Sequence, residues 1–187
     1  MREPCLEPFL RTLRIRRVLP CIRRHANCRL LDIGCGWEAR FLRAVEPYIA
    51  SGTGVDFKAP EVNTEKLRTV RLTLADRLPL ADSSFDVVTM LAVLEHLAQP
   101  DAILREIYRV LAPGGELVLT VPSKAAKPVL EFLAFRLGIV SREEIADHKT
   151  YYDRESLVSL IQLTGFKVTE HRYFQLGMNN FCVAARR

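Results

Sequence analysis

The stretch Leu30-Leu31-Asp32-Ile33-Gly34-Cys35-Gly36-Trp37-Glu38 decides the fold. Leu30, Leu31 and Ile33 form a short apolar run of the kind that fills a buried parallel strand. Gly34 and Gly36 then permit a sharp turn and a close approach of the backbone to a ligand. Ala39, Phe41, Leu42 and Val45 recur at helical spacing, which predicts a helix over about 37–46. Strand, glycine turn and helix in this order place a ligand at a strand's carboxyl end and a helix N-terminus.

Two ligand classes use such a turn, and their chemical demands differ. A dinucleotide brings a pyrophosphate, which needs bare backbone N–H groups and no carboxylate nearby. S-adenosylmethionine brings a sulfonium and an ammonium, for which Asp32 is a partner. Gly34-Cys-Gly36-Trp-Glu-Ala39, with Asp56 downstream, also satisfies the dinucleotide pattern G-x-G-x-x-A as text. Asp32, together with Glu38 at the helix start, argues against a pyrophosphate and for the sulfonium cofactor.

Working outward, strands are predicted at about 28–33, 52–56, 69–74, 85–90 and 116–121, with a weak helix at 60–67 and an amphipathic one at about 100–111. Pro113-Gly114-Gly115 ends the latter. Strands alternating with helices at this spacing imply an α/β domain with a doubly wound parallel sheet. Beyond Pro122, residues 123–147 read as one or two helices with an apolar stripe, 153–163 as another, and 166–173 and 180–185 as a terminal antiparallel pair. The whole of 1–187 reads as one domain, with a basic helical cap at 1–27 broken near Pro20 and a helical substrate lid at 123–150.

Four stretches together resemble one family, the small single-domain class I S-adenosylmethionine-dependent methyltransferases. They are Leu31-Asp-Ile-Gly-Cys-Gly36, Val55-Asp56, Leu78-Pro-Leu-Ala-Asp-Ser-Ser-Phe-Asp86, and Val93-Leu-Glu-His-Leu97 leading to Arg109-Val-Leu-Ala-Pro-Gly-Gly115. The likeness is good over about 28–122 and loose beyond. It implies a Rossmann-like seven-stranded, mostly parallel sheet with an antiparallel C-terminal strand. It further implies that Asp32 and the turn Gly34-Cys35-Gly36 hold the methionine end, Asp56 the ribose hydroxyls, and Phe57 the adenine, with Leu91 on the cofactor side. The family's usual adenine-reading acid falls on Leu74, so Ala75 and Asp76 are the expected readers. Where the family usually has a third glycine, this chain has Glu38.

Methyl transfer is an in-line displacement, so alignment supplies most of the catalysis, on the order of 7–11 kcal/mol. A base is needed only where the acceptor must lose a proton. His96, just after the fourth strand, is the candidate general base, with a local capping role as the alternative. His148, Tyr151 and Tyr152 are candidates for the acceptor pocket, the alternative being a surface loop and a buried tyrosine. The lid's apolar stripe suggests a lipid-like or aromatic small-molecule acceptor, the alternative being an anionic acceptor favoured by Lys124, Lys127, Arg136 and Arg142 nearby.

The chain has 49% apolar and 26% charged residues, a normal globular balance. It contains no apolar run long enough to span a bilayer and no signal-peptide core, and its five cysteines follow no metal spacing. A cytoplasmic location, free thiols and no metal ligands are therefore expected. Residues 1–29 carry eight arginines against Glu3 and Glu7, a balance of +6, which leaves the rest of the chain at −1. This arm admits nucleic acid as a partner, and an RNA methyltransferase is one alternative function. Without interleaved aromatics, a solvated helix face is favoured. A methyltransferase-fold protein without turnover and a dinucleotide oxidoreductase are the others. Nothing in the sequence sets an oligomeric state.

Overall fold

The structure is a computed structural model that describes residues 7–25, 27–74 and 77–187. In chain order the elements are α1 (Glu7–Arg24), β1 (Cys28–Ile33), α2 (Arg40–Val45), β2 (Ile49–Asp56), β3 (Leu67–Arg71), β4 (Phe85–Leu91), α3 (Pro100–Val110), β5 (Leu111–Pro122), α4 (Ala126–Phe132), α5 (Arg142–Ala146), α6 (Arg154–Leu163), β6 (Lys167–Phe174) and β7 (Asn179–Ala185). A tight 3-10 turn at Leu94–His96 follows β4, and a wider π-helical turn at Leu133–Leu137 continues α4.

Seven strands form one sheet in the order β3-β2-β1-β4-β5-β7-β6. Only β7 runs against its neighbours. Successive side chains of a strand face opposite sides, and both sides of this sheet are covered. Leu31, Ile33, Val88, Met90, Leu117 and Leu119 pack with Ile103, Leu104 and Ile107 of α3 and Leu157 and Ile161 of α6. Leu30, Val87, Val118 and Val183 pack with Val18 and Ile22 of α1 and Phe41 and Leu42 of α2. This double burial explains why Leu30-Leu31 in β1 and Val87-Val88 in β4 are adjacent apolar pairs rather than alternating with polar residues.

Four expectations are corrected. The helix expected at 37–46 begins only at Arg40, because the turn extends through Ala39, which has φ 50°. No helix forms at 60–67. There Thr64 Oγ1 accepts from the N–H groups of Lys66 and Leu67, and Thr69 Oγ1 from Val62 N, so side chains take the donors a helix would use. The third strand lies at 67–71 rather than 69–74, since bare Gly52 lets Leu67 close against β2. Finally, α1 runs through Pro20 unbroken. Proline removes one helical donor, but buried Val18, Cys21 and Ile22 hold the flanking turns on the sheet.

The stretch 78–86 is legible in the structure as a clamp. Arg109 donates to the carbonyls of Leu80 (2.9 Å) and Leu78 (3.0 Å) and pairs with both oxygens of Glu106. Glu106 in turn accepts from Leu78 N at 2.9 Å. Hydrogen bonding to Arg109 holds the Glu106 carboxyl below its usual range. Arg109→Ala strips this loop of its donors, and we expect a loss of about 2 kcal/mol in denaturant unfolding.

Candidate active site

The chain order turns over at β1. From β1 it proceeds through β2 and β3 to one edge, then returns to place β4 on the other side of β1. In an open α/β sheet, the crevice outside the carboxyl ends of the strands at such a switch point receives the ligand. Here those ends carry the Gly34–Gly36 turn and the segment 91–96.

The turn is fixed by backbone hydrogen bonds. Gly34 N and Cys35 N both donate to Val55 O, at 2.8 and 3.2 Å. Gly34 (φ 77°) and Gly36 (φ 71°) are left-handed, which glycine adopts without penalty. A Cβ on Gly34 would overlap Val93 Cγ2, so bare Gly34 is what lets the 94–96 turn close on the glycine turn. A Cβ on Gly36 would meet nothing within 4 Å, so the crevice side is open. Cys35 points the other way, against Gly54 under the sheet. Burial, with the charges of Asp32 and Asp56 behind it, pushes its thiol up to about 12, which excludes a thiolate nucleophile.

Two carboxylates flank the turn. Asp32 is buried beside Thr89, whose hydroxyl donates to Oδ1 at 2.7 Å. Burial pushes Asp32 up to about 7, against the pull of the Thr89 hydrogen bond and with a smaller push from Asp56. Asp56 ends β2 and accepts from Gly36 N (3.0 Å) and Lys58 N (2.7 Å). A carboxylate can only accept, so this pair suits an ammonium and vicinal hydroxyls, and opposes a pyrophosphate. Trp37 and Phe57 stand 63% and 60% exposed on the rim, and the Lys58 ammonium lies 4.9 Å from the Phe57 ring centre. Glu38 pairs with Arg40, so the residue that replaces the family's third glycine does not bring a bare charge to the crevice.

A second cluster lies at the 94–96 turn. Glu95 is buried, and its carbonyl accepts from Lys149 N (2.8 Å) and Thr150 N (3.3 Å), which ties the segment after α5 to the end of β4. His96 Nδ1 is 2.9 Å from Asp147 Oδ2. The His96 and His148 rings meet edge to face with centroids 4.8 Å apart, and His148 Nδ1 is 2.9 Å from the Tyr151 hydroxyl. Burial and then the neighbouring His96 push His148 down to about 4, so it is neutral at pH 7. Burial raises Tyr151 to about 12.

Thus Asp32, Gly34, Cys35, Gly36, Asp56, Phe57 and Leu91 come together around the ends of β1, β2 and β4. His96, His148 and Tyr151 come together beside them. Tyr152 does not: it is buried in the core with Leu157 and Ile161, and its carbonyl accepts from Asn180 Nδ2, so the reading as a buried tyrosine is the correct one. Ala75 and Asp76 lie outside the described residues, as do Cys5 and the first six residues of the cap. Thr89 and Asp147 carry no signal in the sequence, and Val93 is marked there only as the start of the stretch that leads to Leu97. Thr89 sits opposite Asp32 in the β1–β4 register, a pairing that no local pattern encodes. A surface hollow of about 560 Å³ between α6 and β6 involves none of these residues. The arginines of α1 are partly spoken for within the chain: Arg17 pairs with Glu170, Arg23 donates to the Tyr48 hydroxyl, and Arg24 to Cys21 Sγ. Among the described residues no helix is long and apolar enough to cross a membrane.

Comparison with known proteins agrees with this geometry. Residues 7–171 match the model of a family described as a methyltransferase domain. The chain is 29% identical over 190 residues to the demethylmenaquinone methyltransferase of Staphylococcus carnosus, covering 87% of this chain and 78% of that one. It is 33% identical over 142 residues to the 27-O-demethylrifamycin SV methyltransferase of Amycolatopsis mediterranei, covering 66% and 52%. Its fold matches an S-adenosylmethionine-dependent methyltransferase of Mesorhizobium loti with TM-score 0.68 at 18% identity, over 90% and 97% of the two chains. A glycine turn flanked by two carboxylates, on a sheet of this order and with this family match, makes the chain a member of the class I S-adenosylmethionine-dependent methyltransferases.

Proposed function

We propose that the protein methylates a small acceptor bearing an ionisable hydroxyl or enol on an apolar, aromatic or lipid-like body. The observation that supports this most is the His96–His148 pair, held against the glycine turn through Val93 and oriented by Asp147. Relatives named for menaquinone and rifamycin chemistry support an acceptor of this class. When bound, S-adenosylmethionine supplies a methyl group on a sulfonium sulfur, already activated for in-line displacement.

Each residue then has a role. Asp32 accepts from the cofactor's ammonium and Asp56 from the ribose hydroxyls, while Phe57 and Leu91 pack on the adenine side. Trp37, on the same rim, shields the crevice from water. His96 takes the acceptor's proton on Nε2, because Nδ1 is engaged by Asp147. Its side chain is 27% exposed, so the proton can pass on to solvent. Neutral His148 packs edge-on against His96 and limits its orientations. The segment 123–150 acts as the lid: Val129, Phe132 and Phe135 are exposed on it and offer an apolar face to the acceptor's body.

The test is turnover of hydroxyaromatic acceptors by His96→Ala. A general base is worth about 10²–10⁴-fold, so kcat should fall in that range while the affinity for S-adenosylmethionine is unchanged. An unchanged kcat would remove His96 from the chemistry and point to an acceptor that needs no base.

A further inference from the structure

Glu95 and His96 are consecutive on the turn after β4, and His148 comes from the loop after α5. One ligand atom from each of the three lies within 4.8 Å of the others. The two segments are already joined, since Lys149 N and Thr150 N donate to the Glu95 carbonyl. Each imidazole is oriented through Nδ1, His96 by the Asp147 carboxylate and His148 by the Tyr151 hydroxyl, both at 2.9 Å. That is the outer-shell arrangement of metal-binding histidines, in which an oxygen partner fixes the ring through one nitrogen and leaves the other for the ion.

We propose that Glu95, His96 and His148 form a binding site for a divalent transition-metal ion, and that an ion seated there draws His96 away from the acceptor and silences the enzyme. The silencing rests on the base role assigned above; the site itself does not. Two imidazoles and one carboxylate suit Zn²⁺, Co²⁺ or Ni²⁺, whereas Mg²⁺ and Ca²⁺ prefer all-oxygen sites. Ligand bonds of about 2.0–2.2 Å place ligand atoms roughly 3.3 Å apart, so the cluster must close slightly from its outer spacing. Part-exposed His96 and the 147–151 loop are the parts that move, while buried Glu95 is the fixed anchor. Three protein ligands leave a fourth position open, as in zinc sites that keep a water.

The experiment titrates chelator-treated full-length protein with ZnCl₂ by calorimetry, with Co²⁺ visible absorption as a second readout. We expect one equivalent to bind, with the low-coordinate Co²⁺ spectrum. His148→Ala should abolish both, and Asp147→Asn should weaken binding about tenfold or more. Circular dichroism melts establish that the variants are folded, and the Co²⁺ spectrum of wild type judges the site even if a variant is not. Turnover should fall as Zn²⁺ reaches one equivalent and return on adding EDTA, with the affinity for S-adenosylmethionine unchanged. Absence of stoichiometric binding, or binding that survives His148→Ala, would overturn the site. Stoichiometric Zn²⁺ with undiminished turnover would overturn the silencing. Failure to bind S-adenosylmethionine in a parallel titration would instead overturn the reading of the active site, and the Zn²⁺ result would stand apart from it.

Discussion

Gly34→Ala is expected to cost about 3 kcal/mol of stability and at least a hundredfold in turnover. Two effects add. Gly34 sits at φ 77°, where an alanine pays about 1–2 kcal/mol. The new Cβ also overlaps Val93 Cγ2 and comes within 3.3 Å of Val93 Cβ, and overpacking of this kind costs about 1–3 kcal/mol. Val93 cannot yield freely, because it leads into the turn that carries Glu95 and His96. Displacing that turn by about 1 Å is enough to cost two orders of magnitude in rate. Two variants separate the terms. Gly36→Ala, at φ 71° with nothing within 4 Å of the added atom, should pay the backbone cost alone. Gly34→Ala combined with Val93→Ala should recover the steric share and leave the backbone share. Thermal melts of the set read the energies, and equal losses in Gly34→Ala and Gly36→Ala would show that the Val93 contact carries none of the effect.

The second large effect is Asp32→Asn, whose sign depends on what is bound. In the free protein the Asp32 pKa is raised from an ordinary value of 3.8 to about 7, chiefly by burial. Below pH ~4 both the folded and unfolded chains hold the proton, and the group costs nothing. Between there and neutrality the unfolded chain is ionised while the folded chain keeps its proton, so stability falls as pH rises through about 7 and is then flat. At 1.36 kcal/mol per unit the ceiling is about 4 kcal/mol, and relaxation brings the expected figure to about 2–3 kcal/mol. Asparagine keeps a hydrogen bond to Thr89 and has no charge to bury. Asp32→Asn should therefore be more stable than the parent at pH 8 and equal to it near pH 4, measured by urea unfolding. Binding should go the other way. The cofactor's ammonium favours ionised Asp32, so the parent should release a proton on binding at pH 6, seen as buffer-dependent calorimetric heat. The variant should bind about 10–100-fold more weakly at pH 8, the worth of one charged hydrogen bond. Undiminished affinity in Asp32→Asn would place the ammonium elsewhere.

Much of this molecule is legible in its sequence. The run Leu30–Ile33 and the glycines after it depend on local rules alone: an apolar strand short enough to be buried, and a backbone turn that a side chain would obstruct. The order of strands and helices followed from spacing, and the carboxylates at 32 and 56 followed from a strand ending in an acid. The readings that failed were those where side-chain hydrogen bonding, a left-handed residue or burial outweighed the propensity pattern. Residues 60–67 read as a weak helix, but Thr64 and Thr69 take the backbone donors. Pro20 ought to break a helix, but the sheet beneath Val18 and Ile22 holds it. Tyr152 resembles its neighbour Tyr151 in sequence, yet one is core and the other touches His148.

The sequence by itself favoured the sulfonium cofactor over a dinucleotide, because Asp32 beside a glycine turn is a chemical statement that needs no partner to read. Only the tertiary structure decided the rest of the site. Thr89 beneath Asp32 depends on strand register, Val93 against Gly34 on the closure of two loops, and Asp147 and His148 beside His96 on a contact across some fifty residues of chain. Spacing along a chain cannot encode such distances; they are set where packed elements bring remote segments within hydrogen-bond reach.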